Sequence, residues 1–185
     1  MRAFIAVDLT REIQTRIEAA QDALGRFSHA VRWVRPETIH LTLKFLGEIS
    51  NDQQRRVVET FSTRKSGVAP FQISVGRLGF FPNARAPRVV WMGIEEGKGE
   101  LQSLARFVDE ALRAAGFPPE PRPFSPHATV GRIKFLPEVA SFIEATSAFS
   151  DYQCGTATVG HFYLYESKLD RGGSIYTKRA TFALE

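Results

Sequence analysis

One alternating stretch, His40-Leu41-Thr42-Leu43-Lys44-Phe45-Leu46-Gly47, constrains this chain more than any other. At a period of two it reads as a strand. Leu41, Leu43 and Phe45 fall on a core face; His40, Thr42 and Lys44 fall on a polar one. Eighty-seven residues after His40 the chain repeats the statement in His127-Ala128-Thr129-Val130-Gly131-Arg132-Ile133. Each copy is His-x-Thr-[Leu/Val] with a basic residue following. Residues i and i+2 of a strand share a side, roughly 6.5–7 Å apart. An imidazole and a hydroxyl at that spacing can grip one tetrahedral group together. Two such copies, distant in sequence, suit the two halves of one site.

The segments around the motifs alternate between strand and helix. Arg2 to Leu9 is an apolar strand, and Thr10 caps a helix with Ile13, Ile17, Ala20, Leu24 and Phe27 on one face. Val31 to Val34 is a short strand before the first motif. Ser50 and Gln53 have capping-box spacing at the head of a helix that buries Val57, Val58 and Phe61. Pro70 to Phe81 and Arg88 to Ile94 pair as a long hairpin. A third helix carries Leu101, Leu104, Ala105, Val108 and Leu112, and Gly116 with Pro118 ends it. Five prolines between Phe117 and Pro126 make an extended segment that delivers the chain to His127. Pro137 opens a fourth helix at its first position, with Val139, Phe142 and Ile143 inward. Two strands, near Thr156–Glu166 and Ser174–Leu184, finish the chain around a turn at Asp170 to Gly173. Hairpin-paired strands mixed with helices argue for an α+β fold, not a doubly wound parallel sheet. The echo of strand, helix, His-strand and helix predicts two pseudo-symmetric lobes, each a largely antiparallel sheet flanked by helices, within one domain spanning 1–185.

Composition narrows the partners. A chain of 185 residues with 43% hydrophobic and 24% charged residues folds as an ordinary globular domain. Its net charge is +4, carried mostly by Arg, 18 against 6 Lys. Arg suits bidentate phosphate recognition, and this modest excess permits a polyanionic partner without requiring one. The single cysteine, Cys154, allows no internal disulfide and reads as a buried structural thiol. Nothing in the sequence resembles a signal peptide, and no apolar run approaches the ~20 residues of a membrane span. A cytoplasmic monomer without membrane contact is expected.

Histidines in strands are usually structural or merely exposed, and His29 and His161 keep that reading. His40 and His127 depart from it because each has a Thr two positions on. Two imidazoles near neutral pKa suit general acid and base work on a phosphodiester without metal. There is no H-E-x-x-H, C-x-x-C, P-loop or G-x-S-x-G, and neither motif has a carboxylate within three residues after its His. No metal or other cofactor is expected. By simple alternation Arg132 lies on the opposite side from His127. It reaches a phosphate only if the strand bends near Gly131, and otherwise braces the wall. Lys44 has the right parity but sits far along. Trp33, Phe45, Phe81 and Tyr176 are candidates for stacking a base, with core packing the commoner role.

The paired motifs resemble those of the two-histidine (2H) phosphoesterase superfamily, in particular its RNA 2′,3′-cyclic phosphodiesterases, also called 2′-5′ RNA ligases. The resemblance runs through Met1 to Leu9, Trp33-Val34, His40 to Gly47, Leu78 to Pro82, Pro87 to Trp91, Pro126 to Thr129 with Arg132, and Glu166 to Leu169 followed by Gly173 and Tyr176. It implies two lobes around a central cleft with one motif on each wall. It also implies metal-independent hydrolysis of a 2′,3′-cyclic phosphate, on an RNA end or a small cyclic nucleotide, to a 2′-phosphomonoester. His127 would be the proton acceptor that activates water, and His40 the proton donor to the departing 3′ oxygen. Thr42 and Thr129, together with Arg132, would hold the phosphate oxygens. The reverse reaction would join RNA through a 2′-5′ linkage. Two alternatives stay open: a non-catalytic RNA-end binding module, and a phosphodiesterase for another cyclic or 2′-5′-linked nucleotide.

Overall fold

The computed structural model describes residues 1–170 and 173–185. Arg171 and Gly172, the centre of the turn expected at 170–173, lie outside the described residues. The order is β1 (Arg2–Asp8), α1 (Arg11–Ala23), β2 (Val31–Trp33), β3 (His40–Glu48), α2 (Asn51–Thr63), β4 (Phe71–Phe81) and β5 (Val89–Ile94). Then follow α3 (Lys98–Ala114), β6 (His127–Ile133), α4 (Val139–Thr146), β7 (Gln153–Val159), β8 (His161–Asp170) and β9 (Gly173–Ala183).

The strands form one nine-stranded sheet in the order β7-β4-β5-β6-β3-β1-β8-β9, with β2 added on β6. Every neighbouring pair is antiparallel. The sheet divides where β3 meets β6, because those strands share the single pair Leu41↔Ala128. One half-sheet is β3-β1-β8-β9 and the other is β7-β4-β5-β6 with β2. These are the two expected lobes, and each contributes one His-bearing strand to the seam.

Local chemistry starts and stops the helices as expected. The Thr10 hydroxyl accepts from the Ile13 N–H at 3.4 Å. Ser50 and Gln53 close a reciprocal capping box, an arrangement worth ~1 kcal/mol per cap. Gly116 takes a left-handed φ of +90° after α3, while the Phe117 N–H returns to the Leu112 carbonyl at 2.9 Å. The helices cover the core face of the sheet, and two of them cross between the halves. α1 follows β1 but packs on β7, and α3 follows β5 but packs on β3. Ile13, Ile17, Leu101, Leu104, Val108 and Leu112 are all fully buried there, each contributing ~1.5–3 kcal/mol of burial. This exchange knits both half-sheets to one core.

Two expected elements change. The fourth helix begins at Val139, not at Pro137, although Phe142 is buried as expected, against Phe27 and Phe80. The expected strand at Thr156–Glu166 is two strands broken at Gly160, with β7 on β4 and β8 on β1. They lie in opposite halves of the sheet. Continuous strand-like residues hid a change of partner that only tertiary pairing decides.

Candidate active site

Both motif strands contain a β-bulge, at the same place in the motif. On β3, Thr42 faces Ala6 and Lys44 faces Ile5, so Leu43 is an extra residue. On β6, Thr129 faces Trp91 and Gly131 faces Val90, so Val130 is extra. A bulge puts two residues of one strand opposite one of its neighbour and reverses the alternation beyond it. Leu43 and Lys44 are both buried, as are Val130 and Gly131, and the next residues, Phe45 and Arg132, are exposed.

Two expectations are thereby corrected. Phe45 is not a core residue: it is 62% exposed and shares a face with His40 and Thr42. Lys44 does not face a phosphate: it is 3% exposed, and its ammonium is held by Asp109 and by the Pro118 carbonyl at 2.8 Å. For Arg132, the bend near Gly131 is present, and it carries the guanidinium to the side of His127. A row of opposed residues, Phe81↔Val89↔Arg132↔Arg32, fixes that face, since the Phe81 ring stands edge-on to His127 at 4.8 Å.

The seam places the motifs about a local twofold axis. Around the Leu41↔Ala128 pair, antiparallel register sets His40 level with Thr129, and Thr42 level with His127. Each imidazole is oriented from behind in the same way. The His40 Nδ1–H donates to the Thr38 carbonyl at 2.8 Å, and the His127 Nδ1–H donates to the Ser125 carbonyl at 2.7 Å. A carbonyl only accepts, so Nδ1 carries a hydrogen and Nε2 is left for chemistry. The Thr42 hydroxyl lies 3.0 Å from the His40 Nε2.

The surroundings of the two imidazoles differ. His40 stacks on Phe4 at 4.7 Å and meets the edge of Tyr176 at 5.2 Å. Asp8 is its cross-strand partner, and its carboxylate also accepts from the Tyr165 hydroxyl at 2.6 Å and from Lys178 at 2.9 Å. Burial pushes His40 below the ordinary histidine value, while the Thr38 carbonyl and the Asp8 charge oppose that push. His127 is also lowered, first by burial and further by Arg132, against the Ser125 carbonyl. A carboxylate therefore favours the charged form of His40, and a guanidinium favours the neutral form of His127.

One buried polar side chain braces each bulge. At the first, Lys44 clamps β3 to α3 and to the proline-rich segment that leads into His127. Burial alone would raise the Asp109 carboxyl; the hydrogen bonds from Lys44 and the Glu120 N–H hold it below its usual value. At the second, the Gln21 amide on α1 donates to the carbonyls of Val34 and Val130 at 2.8 and 2.9 Å. Asp8, Gln21, Asp109 and Tyr165 went unnoticed in the sequence because their partners are distant in the chain. The one local signal was the parity of Asp8 with Phe4 along β1.

The remaining candidates fall elsewhere. His29 is exposed in a turn beside the Arg26 carbonyl, and His161 is exposed at the start of β8. Trp33 points to the core side, where its ring would meet any Cβ added at Gly131. Cys154 is buried and its thiol is pushed up to about 11 by that burial, which leaves it inert. No helix among the described residues is long and apolar enough to cross a membrane.

Known proteins share this architecture and sequence. The LigT-like phosphoesterase family matches residues 7–91 and 93–176, one segment for each motif. The chain is 35% identical to the RNA 2′,3′-cyclic phosphodiesterase of Methanothermobacter thermautotrophicus, over 100% of this chain and 99% of that protein. It is 38% identical to the protein of the same name from Archaeoglobus fulgidus, over 98% and 99%. Among solved structures, TT0787 of Thermus thermophilus superposes with a TM-score of 0.79 at 29% identity, covering 100% of this chain and 98% of that one. E. coli LigT complexed with 3′-AMP superposes with a TM-score of 0.78 at 26% identity, over 99% and 97%. With both motif strands inside the matched segments and the fold shared end to end, this chain belongs to the LigT-like phosphoesterase family.

Proposed function

We propose that this chain hydrolyses the 2′,3′-cyclic phosphate at an RNA end to a 2′-phosphomonoester, with His127 as base and His40 as acid. The reaction class rests on the family and on full-length relatives named RNA 2′,3′-cyclic phosphodiesterase. The observation that supports the mechanism is the twofold seam, with two His-x-Thr pairs whose Nδ1 atoms are both held by backbone carbonyls, whose His40 Nε2 meets only its own Thr42 hydroxyl, and whose charged neighbours are opposite in sign.

A cyclic phosphate seated over the Leu41↔Ala128 pair meets the four groups together. The Thr42 and Thr129 hydroxyls donate to non-bridging oxygens, with Arg132 supplying positive charge. Neutral His127 takes a proton from water as the water oxygen bonds to phosphorus. The phosphorus–3′-oxygen bond breaks opposite to it, and His40 gives its proton to the departing 3′ oxygen. The 2′ ester bond stays intact, so the product is a 2′-phosphate. The step is proton transfer plus electrostatic stabilisation. It asks nothing of a metal ion, and turnover in chelator is expected.

The test uses adenosine 2′,3′-cyclic phosphate with excess EDTA. Wild type yields the 2′-monophosphate, and His40→Ala and His127→Ala yield almost none while unfolding at the wild-type temperature. Tight binding of the cyclic nucleotide without turnover by wild type would instead make the chain a binding module. Turnover by both variants at the wild-type rate ends the assignment.

A further inference from the structure

The two imidazoles are oriented alike, but their acceptors are held differently. The Thr38 carbonyl, which takes the His40 Nδ1–H, sits in a closed turn: the Thr38 N–H and hydroxyl both donate to the Arg35 carbonyl, at 2.9 and 2.8 Å. The Ser125 carbonyl, which takes the His127 Nδ1–H, sits near the end of residues 118–126, where five of nine positions are proline. Among the described residues that stretch makes no backbone–backbone hydrogen bond. Two hydrogen bonds tie it to the rest of the fold. The Lys44 ammonium donates to the Pro118 carbonyl at 2.8 Å, and the Glu120 N–H donates to the Asp109 carboxylate at 2.9 Å. Lys44 and Asp109 are themselves ion-paired, and Phe124 adds packing against the core.

Lys44 is costly where it stands. The extra residue Leu43 turns it to the core side, where it is 3% exposed. A buried ammonium is unfavourable unless it is paired and hydrogen-bonded, and an apolar side chain of similar size would fill the space at less cost. Burial gives no reason for an ammonium here; the groups it grips do. The seam shows what the grip supplies. β3 and β6 share the single pair Leu41↔Ala128, so backbone pairing fixes the two halves at one point only. Beyond that point the Lys44 side chain joins the strand of His40 to the segment that carries Ser125. Proline fixes φ, and proline-rich stretches act as semi-rigid spacers, so an anchor at Pro118 and Glu120 is felt at Ser125.

We infer that Lys44, with Asp109, is a positioning residue for His127 on the opposite half of the site: the pair holds the proline-rich segment so that the Ser125 carbonyl sets the tautomer and aim of that imidazole. This rests on the phosphodiesterase reading and deepens it. Lys44 lies on the strand of His40, yet His40 does not depend on it, because the Thr38 turn and the Phe4 ring hold that imidazole. The first motif thus supports the second through a side chain that touches no substrate.

The test compares Lys44→Met with two other variants. Val57→Ala is a buried core substitution on α2, which packs on α3 and β9. The double variant Pro121→Gly/Pro123→Gly loosens the exposed stretch between the anchor and Ser125 and leaves the buried pair intact. The substrate is adenosine 2′,3′-cyclic phosphate, at a temperature where circular dichroism shows each variant folded. Lys44→Met should lower kcat by about 10–100-fold, the scale of a misplaced catalytic group, with KM little changed. The proline variant should fall in the same direction by a smaller factor, and Val57→Ala should keep the wild-type kcat. Nitrogen-edited NMR of the imidazoles without substrate should show the His127 Nδ1–H signal broadened in Lys44→Met and that of His40 unchanged. A wild-type kcat in folded Lys44→Met, or equal broadening of both signals, overturns the inference. If Lys44→Met does not fold, a wild-type kcat in the proline variant overturns it. Absence of turnover by wild type would count against the phosphodiesterase reading itself, while the NMR comparison still decides the tie to His127.

Discussion

The two halves of the site share a backbone plan and differ in chemistry. Each has His, Thr, a bulged Leu or Val, a buried next residue and an exposed side chain beyond. Each imidazole donates through Nδ1 to the carbonyl two residues earlier. The His40 half is enclosed by Phe4, Tyr165 and Tyr176 with Asp8 at its edge. The His127 half is more open, with Arg132 at the position where the other half has Phe45. In the proposed mechanism repetition supplies two proton-transfer groups, and the departures from symmetry suit them to different tasks. An acid needs its charged form favoured and a base needs its neutral form favoured, which is the direction in which Asp8 and Arg132 act.

The largest expected effect breaks both halves alike. His40→Ala or His127→Ala should lower kcat by about 10²–10⁴-fold, the usual share of a general acid or base, read by steady-state hydrolysis of a nucleoside cyclic phosphate. The double variant should be little worse than either single one, because the two groups act as a unit.

The bulge itself can be tested by stability. Leu43→Ala removes a fully enclosed side chain and should cost about 2–5 kcal/mol. Phe45→Ala, which plain alternation would rank as equally damaging, should stay within about 1 kcal/mol because its ring is exposed. Urea denaturation of the two variants decides whether the parity reverses at Leu43.

On β6, Gly131→Ala should cost about 1–3 kcal/mol by overpacking. The new Cβ would stand 2.9 Å from the Trp33 ring and 3.0 Å from Val31. If Gly131→Ala is neutral, the second bulge does not press against β2 as described.

The smallest and most discriminating effects lie in the pH profile of kcat/KM. Asp8→Asn removes a negative charge that favours the His40 imidazolium, so His40 loses its proton at lower pH. If His40 is the acid, the alkaline limb moves down; if it is the base, the acidic limb moves down instead. Arg132→Gln removes a positive charge that disfavours the His127 imidazolium, so His127 keeps its proton to higher pH. The acidic limb then moves up if His127 is the base. Because burial lowers both imidazoles in the folded state, unfolding also gains protons below the ordinary histidine value. Stability should therefore fall as pH drops below about 6.5, and His40→Gln should flatten that fall.

Much of this was legible in the sequence because it is local. Strand alternation, the Thr10 and Ser50 caps, the Gly116 stop and the His-x-Thr spacing depend on residues a few positions apart, and periodicity reports them. The amphipathic helices named their own buried faces. Repetition of His-x-Thr pointed to a paired site before any geometry was known. What the sequence could not carry were the choices made between distant segments. Whether β3 and β6 keep a strict alternation depends on their neighbours β1 and β5, and there the extra residues Leu43 and Val130 carried Phe45 and Arg132 to the faces of His40 and His127 and Lys44 to Asp109. The break at Gly160, the support of Gln21 for Val130, and the opposite charges beside His40 and His127 likewise arise across the fold. Side-chain type and spacing determined which chemistry the chain can perform. Strand register, which is set by cross-strand hydrogen bonds and core burial, decided which of those side chains meet.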